Sequence, residues 1–369
     1  MILKTGSFEK MAMDIEGRNS KIVIFGTGVI GATVTPEILK TYNMADRIMC
    51  CVDNDKTRWN TTIEVCGREA DILSPNILES ISEEITILIT ISRFYAVYEQ
   101  LNNIGKLNNV SCYIIPQMCI DNFRSDGGKG VINTCQQPVI PKKIHYMWLG
   151  GKEMPDNLKK CIESWKRYCP DYEIIRWDES NYDVHKNIFV SQAYDNKKYG
   201  FVPDYARIEI LYEHGGIYLD TDVELCRNID DLLYQEAFCG VEKWQVLNFG
   251  GCSGAVKGHK GLECFLQRWK KRSLIRHDGT IDSISSGLID TSVAIENGYK
   301  INGENQNVLG MNIYTYDYFH PYDYMSGKME KTSDTFSVHH FNGGWLDENE
   351  KKAALKLTNE YDSIVNNAV

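Results

Sequence analysis

The sequence has no apolar run of the roughly eighteen residues that a membrane-spanning helix requires. Its first twenty residues include acidic side chains and lack the apolar core of a secretory signal peptide. An excess of positive charge is also missing, because the formal net charge is −10 at pH 7. These absences argue against a membrane-spanning protein, a secreted protein and a protein that binds nucleic acid through its overall charge.

Paired cysteine motifs are missing, although the chain contains 12 cysteines. There is no C-x-x-C pair and no regular spacing of the kind that binds zinc. Most of the cysteines lie in apolar stretches, such as residues 48–52 and 251–256. We therefore expect reduced thiols that pack in a hydrophobic core, as in a cytoplasmic protein, and not a disulfide framework.

The length and composition are typical of a soluble protein with two globular domains. The chain has 369 residues, of which 43% are hydrophobic and 24% are charged. Hydrophobic periodicity is lost around residues 121–138, where glycine, aspartate and asparagine become frequent. We predict a first domain at residues 1–125, a linker at residues 126–138 and a second domain at residues 139–369.

A glycine-rich turn follows the apolar run at residues 21–25. Gly26, Gly28 and Gly31 form a G-x-G-x-x-G pattern that opens a helix, and Asp53 follows about twenty residues later, after a second apolar run. In dinucleotide-binding folds, such glycines let the backbone approach a pyrophosphate at a helix N-terminus. The pattern predicts a Rossmann-like βαβ domain. It leaves open whether these residues bind a nucleotide, a nucleotide-sugar or NAD, or serve only helix–strand packing.

The stretch at residues 202–224 predicts a helix, a tight glycine turn and a short strand. A proline opens the helix, apolar residues recur at helical spacing, and a double glycine ends it. The strand at residues 217–219 leads directly into Asp220 and Asp222. Two carboxylates just past the carboxyl end of a strand offer hard oxygen ligands to Mg²⁺ or Mn²⁺. Taken without its flanks, such a pair is better explained by a solvated acidic turn, and it is the flanking helix, glycines and strand that favour a binding site here.

Four blocks of the second half resemble a family of glycosyltransferases. It is the family-32 type with a DxD sugar-binding region, which includes capsular polysaccharide and mannosyl transferases and is distantly similar to the glucosylating clostridial toxins. The blocks read IPKKIHYMWLGG at 140–151, PDYAR at 203–207, GGIYLDTDV at 215–223 and HHFNGGW at 339–345. The resemblance covers about residues 139–346 and implies a GT-A-like α/β domain. The last block departs from the family pattern, since Gly344 stands where a serine is usual.

The resemblance also implies roles for residues in these blocks. Trp148 is expected to lie against the base of the donor, while Asp204 and Arg207 hold the donor sugar and the diphosphate. Asp222 is expected to bind the metal directly. Asp220 is expected to contact the ribose or the sugar, or to reach the metal through water. The four charged residues are therefore predicted to be catalytic.

Further ligands are needed because two carboxylates do not complete an octahedral coordination shell. His340 or Asn342 is predicted to supply another metal ligand, and a histidine would favour Mn²⁺ over Mg²⁺. Tyr218, Asn248 and Trp345 complete the predicted donor site.

These features predict a metal-dependent, retaining hexosyltransferase that uses a nucleotide-diphosphate sugar, with a UDP-sugar favoured, and a glycan or lipid-linked glycan acceptor. We expect it to act in the synthesis of a bacterial surface polysaccharide. Basic side chains at residues 268–277 could meet an acceptor phosphate or an anionic membrane, although a solvated helix face explains them as well. The expected location is the cytoplasm or the inner face of its membrane.

Two other functions remain open from the sequence. One is an NAD-dependent nucleotide-sugar epimerase or oxidoreductase that uses the first domain, and the absorbance of bound NAD(P) in the purified protein would reveal it. The other is a sugar-nucleotide sensor without catalytic activity, against which hydrolysis of a donor in the presence of Mn²⁺ would argue.

Overall fold

The structure, a computed structural model, describes residues 1–123, 130–276, 279–282, 285–324, 327–342 and 348–367. In these residues the chain forms two large β-sheets flanked by helices, with a short two-stranded ribbon beside the second sheet. The α/β class that the sequence predicts is therefore confirmed.

The first sheet is built from β1 (Ile2–Lys4), β2 (Lys21–Phe25), β3 (Ile48–Val52), β4 (Thr61–Val65), β5 (Arg68–Leu73), β6 (Ile85–Ile89) and β7 (Ser111–Ile114). Its order is β1-β7-β6-β2-β3-β5-β4. β4 runs antiparallel to β5, whereas the other neighbours are parallel. The five neighbouring strands β5-β3-β2-β6-β7 have the spatial order of a dinucleotide-binding fold. The predicted Rossmann-like topology is therefore confirmed.

Helices cover this sheet, and its central strands are buried. The helices are α1 (Phe8–Gly17), α2 (Thr35–Thr41), α3 (Phe94–Asn102) and α4 (Ile115–Asn122). Residues 22–25 of β2 and every residue of β6 are buried. Parallel strands that are covered on both faces carry continuous apolar runs, which is why the sequence reveals them so clearly.

The second part of the chain contributes a mixed sheet. Its strands are β8 (Lys143–Met147), β9 (Glu173–Trp177), β10 (Gly216–Tyr218), β11 (Val223–Leu225), β12 (Ala237–Val241), β13 (Leu247–Asn248), β14 (Ser253–Ala255), β15 (Gln306–Val308), β16 (Met311–Tyr314) and β17 (Ser337–His339). The sheet order is β15-β16-β12-β14-β10-β8-β9, with β13 beside β12, while β11 and β17 form the separate ribbon. β10 lies between parallel β8 and antiparallel β14. This α/β arrangement agrees with the GT-A-like class that the resemblance implies.

The helices of the second part are α5 (Asp156–Tyr168), α6 (Ile188–Asp195), α7 (Val202–His214), α8 (Lys260–Lys270), α9 (Ser286–Glu296), α10 (Tyr316–Phe319) and α11 (Glu348–Asn367). The last of them returns to the first sheet. Gln117 of α4 donates to Thr358 of α11 over 3.5 Å, and Leu357 and Tyr361 are buried in a core shared with the first part. The predicted domain limits stay predictions.

Two expectations about composition can be compared with the described residues. Among them, no helix combines the length and the apolar character that crossing a bilayer requires. All 12 cysteines are described as free thiols, and most of them are buried. Their positions agree with the predicted packing in the core.

Candidate active site

A double glycine joins α7 to β10 and sets the position of the DxD turn. Gly215 has a φ of 68° and Gly216 a φ of 106°, which glycine adopts at little steric cost. A Cβ on Gly216 would lie 2.9 Å from Nε2 of His145. Asp220 and Asp222 follow just past the end of β10, where the sequence predicts them.

The backbone at Asp220 is held by a third glycine. The Asp220 N–H donates to the Gly250 carbonyl over 2.8 Å, and the Val223 N–H donates to the Asp220 carbonyl over 3.0 Å. A Cβ on Gly250 would lie 2.0 Å from Oδ2 of Asp220. Glycine at position 250 therefore leaves the space that the Asp220 carboxylate occupies.

The ribbon of β11 and β17 brings a histidine to the two aspartates. His339 lies opposite Val223 in the ribbon, and so next to Asp222. His339 Nε2 is 3.2 Å from Oδ1 of Asp222 and 3.9 Å from Oδ2 of Asp220. One ligand atom from each of these three residues lies within 4.8 Å of the other two. Two carboxylates and an imidazole grouped this closely could hold a divalent metal ion.

The carboxylates of this cluster favour positive charge between them. Burial opposes the charged form of Asp222, but His339 and the N–H of Asn342 interact with its carboxylate and lower its pKa. Burial also opposes a charged His339, yet Asp222 and Asp220 raise the pKa of its imidazole. Within the described part of the chain, Nδ1 of His339 has no hydrogen-bond partner. A metal cation bound between these side chains would be attracted by the carboxylates of Asp220 and Asp222.

The structure places His339, and not the predicted ligand His340, beside the two aspartates. Nε2 of His340 lies 3.0 Å from Oε2 of Glu224. β17 ends at His339, and its register on β11 places His339, the last residue of the strand, beside the aspartates. Asn342 does reach the cluster, but through its backbone, because its N–H donates to Oδ2 of Asp222 over 2.7 Å.

Replacing His339 with alanine should weaken Mn²⁺ binding at least about tenfold, because one of the three clustered ligand atoms is lost. His340→Ala is the matched control and should change the affinity by less than about twofold, since it removes only a partly exposed contact with Glu224. Isothermal titration calorimetry with both variants measures the difference. A larger loss in His340→Ala than in His339→Ala would restore His340 as the ligand.

Arg207 connects two acidic residues of the site. Its guanidinium pairs with Asp204 and lies 3.3 Å from Oδ2 of Asp220, while its Nε donates to the Pro203 carbonyl over 3.0 Å. Burial opposes its charge, but Asp220 and Asp204 raise the pKa of Arg207 and keep it charged. The guanidinium is therefore engaged by carboxylates of the protein itself. Its predicted contact with a diphosphate stays a prediction.

The cluster lies on the wall of a cavity of about 970 Å³. Residues predicted from five separate parts of the sequence line this cavity together: Trp148, Asp204, Arg207, Asp220, Asp222, Asn248 and Asn342. The indole N–H of Trp148 donates to the Lys152 carbonyl over 2.7 Å and so fixes the ring at the edge of the cavity. The fold therefore brings most of the predicted second-domain site residues to one place.

The two remaining predicted donor-site residues are Tyr218 and Trp345. Tyr218 is 1% exposed, and it is not among the described residues that line the cavity. Its burial raises the pKa of the phenol well above the ordinary value. Trp345 lies outside the described residues. Contact of either residue with a donor stays a prediction.

The four residues of the predicted nucleotide site in the first domain are placed differently from one another. Gly28 lines the cavity of the second domain. Gly26 and Gly31 allow close packing, since a Cβ on Gly26 would lie 2.1 Å from an isoleucine side chain and a Cβ on Gly31 would lie 2.0 Å from the Gly26 carbonyl oxygen. Asp53 accepts hydrogen bonds from the N–H and the hydroxyl of Thr27 over 2.8 and 2.6 Å. Ligand binding by this group stays a prediction.

Glu242 is a cavity residue that the sequence reasoning missed. It directly follows β12, and its Oε1 accepts a hydrogen bond from Nδ2 of Asn248 over 2.8 Å. Burial raises the pKa of its carboxyl group. A cavity carboxyl with a raised pKa is a candidate for binding or orienting a hydroxyl group. No motif surrounds it, so its position at a strand end was the only available signal.

Asp290 of α9 provides a pH-dependent prediction for stability. Burial raises its pKa from 3.8 to about 7, although the indole N–H of Trp269 donates to its Oδ1 over 2.9 Å. At a pH between 3.8 and about 7, Asp290 is protonated in the folded chain and has lost its proton in the unfolded chain. Stability should therefore fall as the pH rises through this window, by at most about 1.4 kcal/mol per pH unit from this group.

Asp290→Asn keeps a carbonyl oxygen for Trp269 and removes the charge. We expect the free energy of unfolding of the variant, relative to the unmodified chain, to increase between pH 5 and pH 8. Urea unfolding at both pH values measures it. A difference that is the same at pH 5 and pH 8 would show that Asp290 does not titrate in this window.

Residues 155–239 match a family model described as a glycosyltransferase sugar-binding region containing a DXD motif. Over 112 residues, the chain is 38% identical to inositol phosphoceramide mannosyltransferase 3 of Schizosaccharomyces pombe. The matched region covers 28% of this chain and 30% of that protein. Over 146 residues, the chain is 30% identical to inositol phosphoceramide mannosyltransferase 1 of the same yeast, with 36% and 44% covered. Among solved structures, the PaToxG glycosyltransferase matches at 15% identity and a TM-score of 0.32, over 55% of this chain and 77% of that chain.

The predicted resemblance to glycosyltransferases with a DxD sugar-binding region is confirmed by the family and sequence matches. The matched region contains α7 and both aspartates, and it ends before His339. The matched regions span between 30% and 44% of the length of the three inositol phosphoceramide mannosyltransferases of this yeast.

Proposed function

We propose that the chain is a metal-dependent glycosyltransferase that moves a hexose from a nucleotide-diphosphate sugar to an acceptor hydroxyl. The observation that carries this proposal is the cluster of Asp220, Asp222 and His339 on the wall of a large cavity. Trp148 lies on the same wall although it is distant in sequence. The match to a DXD sugar-binding region, which includes both aspartates, supports the same reaction class.

The clustered residues fit a divalent cation. Asp222 and His339 would hold it, with Asp220 beside them. Carboxylate oxygens suit both Mg²⁺ and Mn²⁺, whereas an imidazole nitrogen is a better ligand for Mn²⁺, so we assign Mn²⁺ to this site. A bound cation of this kind neutralises charge on a diphosphate leaving group.

The donor is proposed to lie along the wall between Trp148 and the cluster. The indole offers an aromatic face on which a uracil or a guanine can stack. Arg207 is given a positioning role, because its guanidinium holds Asp204 and Asp220 in place. Asn248 presents a polar side chain to the same space.

In the proposed reaction, the bond between the anomeric carbon and the diphosphate oxygen breaks. A bond between the anomeric carbon and the acceptor oxygen forms on the same face of the sugar, so the configuration is retained. The diphosphate leaves with the bonding electron pair and takes up the proton of the acceptor hydroxyl. Glu242 lies in the cavity with a raised pKa and is available to orient that hydroxyl.

The sugar and the acceptor follow from weaker observations. Two similar proteins are named inositol phosphoceramide mannosyltransferases, which makes mannose the first hexose to test. We propose a glycan or lipid-linked glycan as the acceptor, with bacterial surface polysaccharide synthesis in the cytoplasm as the setting. These statements rest on the sequence resemblance.

Contact with a membrane through residues 268–277 receives less support. Arg268 pairs with Glu296, and Arg272 and Arg276 both pair with Asp282. These ion pairs neutralise part of the charge that would attract an anionic surface. We propose the cytoplasm as the location of the protein, with association at the inner face of the membrane as the secondary proposal.

The oxidoreductase alternative is not carried forward. The matches to known proteins lend it no support. Asp53, which would hold the ribose of NAD, is already engaged by the N–H and the hydroxyl of Thr27.

A thermal-shift screen of UDP- and GDP-sugars, with and without Mn²⁺, tests the proposed donor class. A sugar nucleotide at one hundred times its Kd should stabilise the chain by about 2.7 kcal/mol in the presence of Mn²⁺. EDTA should remove the shift. A shift with NAD⁺ or NADP⁺, and none with any sugar nucleotide, would contradict the proposal.

A further inference from the structure

The first domain supplies one wall of the cavity that contains the metal-binding cluster. Its residues come from the glycine turn, from the segment after β3 and from the loop after β6: Gly28, Val29, Ile30, Arg58, Ile91 and Ser92. The cavity volume of about 970 Å³ lies at the upper end of the range for one small-molecule site, which is roughly 300–1,000 Å³. There is space beside a donor for part of a second substrate.

The residues of this wall are poorly arranged for a nucleotide of their own. Both carboxylate oxygens of Asp53 are engaged, Oδ2 by Thr27 and Oδ1 by the Asp55 N–H over 2.9 Å. The guanidinium of Arg58 donates to the carbonyl and the hydroxyl of Thr27, each over 2.8 Å. Gly28, however, is open, because a Cβ built on it meets nothing within 4 Å. The turn therefore presents its surface to the shared cavity.

A chain of aromatic contacts links this wall to the cluster. The ring of Phe341 stacks on His339 with centroids 4.1 Å apart and an interplanar angle of 18°. Phe341 contacts Tyr324 at 4.9 Å, and Tyr324 contacts Trp244 at 5.4 Å. Tyr324 is hydrogen-bonded to Ser92 of the first domain. Aromatic faces next to hydroxyl groups suit the packing of a sugar ring.

The rest of the wall is mostly apolar. Aliphatic side chains line the cavity on the first domain and on the second domain: Val29, Ile30 and Ile91, and Val246, Leu247 and Leu288. Among the described residues of the first domain that line the cavity, Arg58 carries a charge. The guanidinium of Arg58 is hydrogen-bonded to Thr27. A ligand that extends along these side chains gains from the burial of apolar groups.

We propose that this wall is the acceptor subsite and that the acceptor is a glycoside with an apolar aglycone. The sugar ring packs on the aromatic group of Trp244, Tyr324 and Phe341, with a hydroxyl directed to the cluster. The aglycone lies along the aliphatic side chains of the first domain. This inference rests on the proposed glycosyltransferase function, and it gives the Rossmann-like domain a role in binding the acceptor.

Gly28→Phe tests the subsite directly. The backbone of Gly28 is not in the left-handed region, and its Cβ position is open, so a phenylalanine ring can enter the cavity without backbone strain. Gly17→Phe is the matched control, because Gly17 has equally open surroundings in the same domain and does not line the cavity. Val29→Asp is a second variant, which places a charge on the apolar wall.

The assay uses the sugar nucleotide selected by the thermal-shift screen, with Mn²⁺ and the octyl glycosides of glucose, galactose and mannose below their micelle concentrations. It compares transfer to the glycoside with hydrolysis of the donor. We expect the ratio of transfer to hydrolysis to fall at least about tenfold in Gly28→Phe and Val29→Asp, and to stay unchanged in Gly17→Phe.

Each other outcome overturns the inference. An unchanged ratio in folded Gly28→Phe or Val29→Asp would show that the wall does not bind the acceptor. Loss of transfer and hydrolysis in equal proportion would place the wall in the donor site. No transfer by the unmodified chain to any of the three glycosides would exclude an acceptor of this class. If the unmodified chain neither transfers the sugar nor hydrolyses the donor, the proposed glycosyltransferase function would be contradicted.

Discussion

Asp222→Asn is expected to lower the rate of donor turnover at least roughly a thousandfold, a loss of about 4 kcal/mol in transition-state stabilisation. Asp222 contributes a carboxylate to the cluster, and its lowered pKa keeps it charged at neutral pH. Asparagine has nearly the same shape but no charge to offer a cation. Nucleoside diphosphate release, followed by chromatography, measures the loss.

The same substitution should have only a modest effect on stability. Asparagine retains an oxygen for the N–H of Asn342, so the loop keeps this hydrogen bond. Asp231→Asn is the matched control, because the side chain of Asp231 is 83% exposed and makes only a surface ion pair with Arg227. Turnover by Asp222→Asn at the rate of the control would contradict a catalytic role for this residue.

Arg207→Met is expected to destabilise the fold by about 3–5 kcal/mol, because it leaves two largely buried carboxylates, 13% and 23% exposed, without their cation. The Arg207 side chain is 8% exposed, and it connects Asp204 on α7 with Asp220 after β10. Methionine fills a similar volume but cannot pair with either residue. Urea unfolding at pH 7 measures the change in the free energy of unfolding.

Arg268→Met is the control for loss of an arginine. The side chain of Arg268 is 42% exposed and that of its partner Glu296 is 54% exposed. The loss of this ion pair should therefore cost no more than about 1 kcal/mol. Arg207→Lys keeps the charge but not the planar fork, and we expect an intermediate loss of stability. Equal stability of Arg207→Met and Arg268→Met would show that Arg207 does not hold the two aspartates.

The parts of the site that could be predicted from the sequence are those set by local patterns. Asp220 and Asp222 are identified by a helix, a double glycine and a strand that are contiguous in the chain. The Rossmann-like order of the first sheet also follows from its continuous apolar strands and the turn at Gly26. In each case the information lies within a few tens of residues, where helical and strand periodicities apply.

The parts that were missed depend on long-range contacts. His339 and His340 are adjacent in sequence, and only the register of β17 on β11 shows which of them faces Asp222. Glu242 follows a strand without any motif. Trp148 gives no sign in the sequence that it shares a cavity with Gly28, because that depends on how two sheets distant in sequence pack together.

Donor hydrolysis by the unmodified chain tests its proposed dependence on a metal ion and its proposed reaction together. UDP- and GDP-hexoses are incubated with the protein in Mn²⁺, then in excess EDTA, then after Mn²⁺ is restored, and the nucleoside diphosphate is quantified. We expect release from at least one sugar nucleotide in Mn²⁺, its loss in EDTA and its recovery when Mn²⁺ returns. No release from any of these donors, or release that chelation does not affect, would contradict a metal-dependent glycosyltransferase.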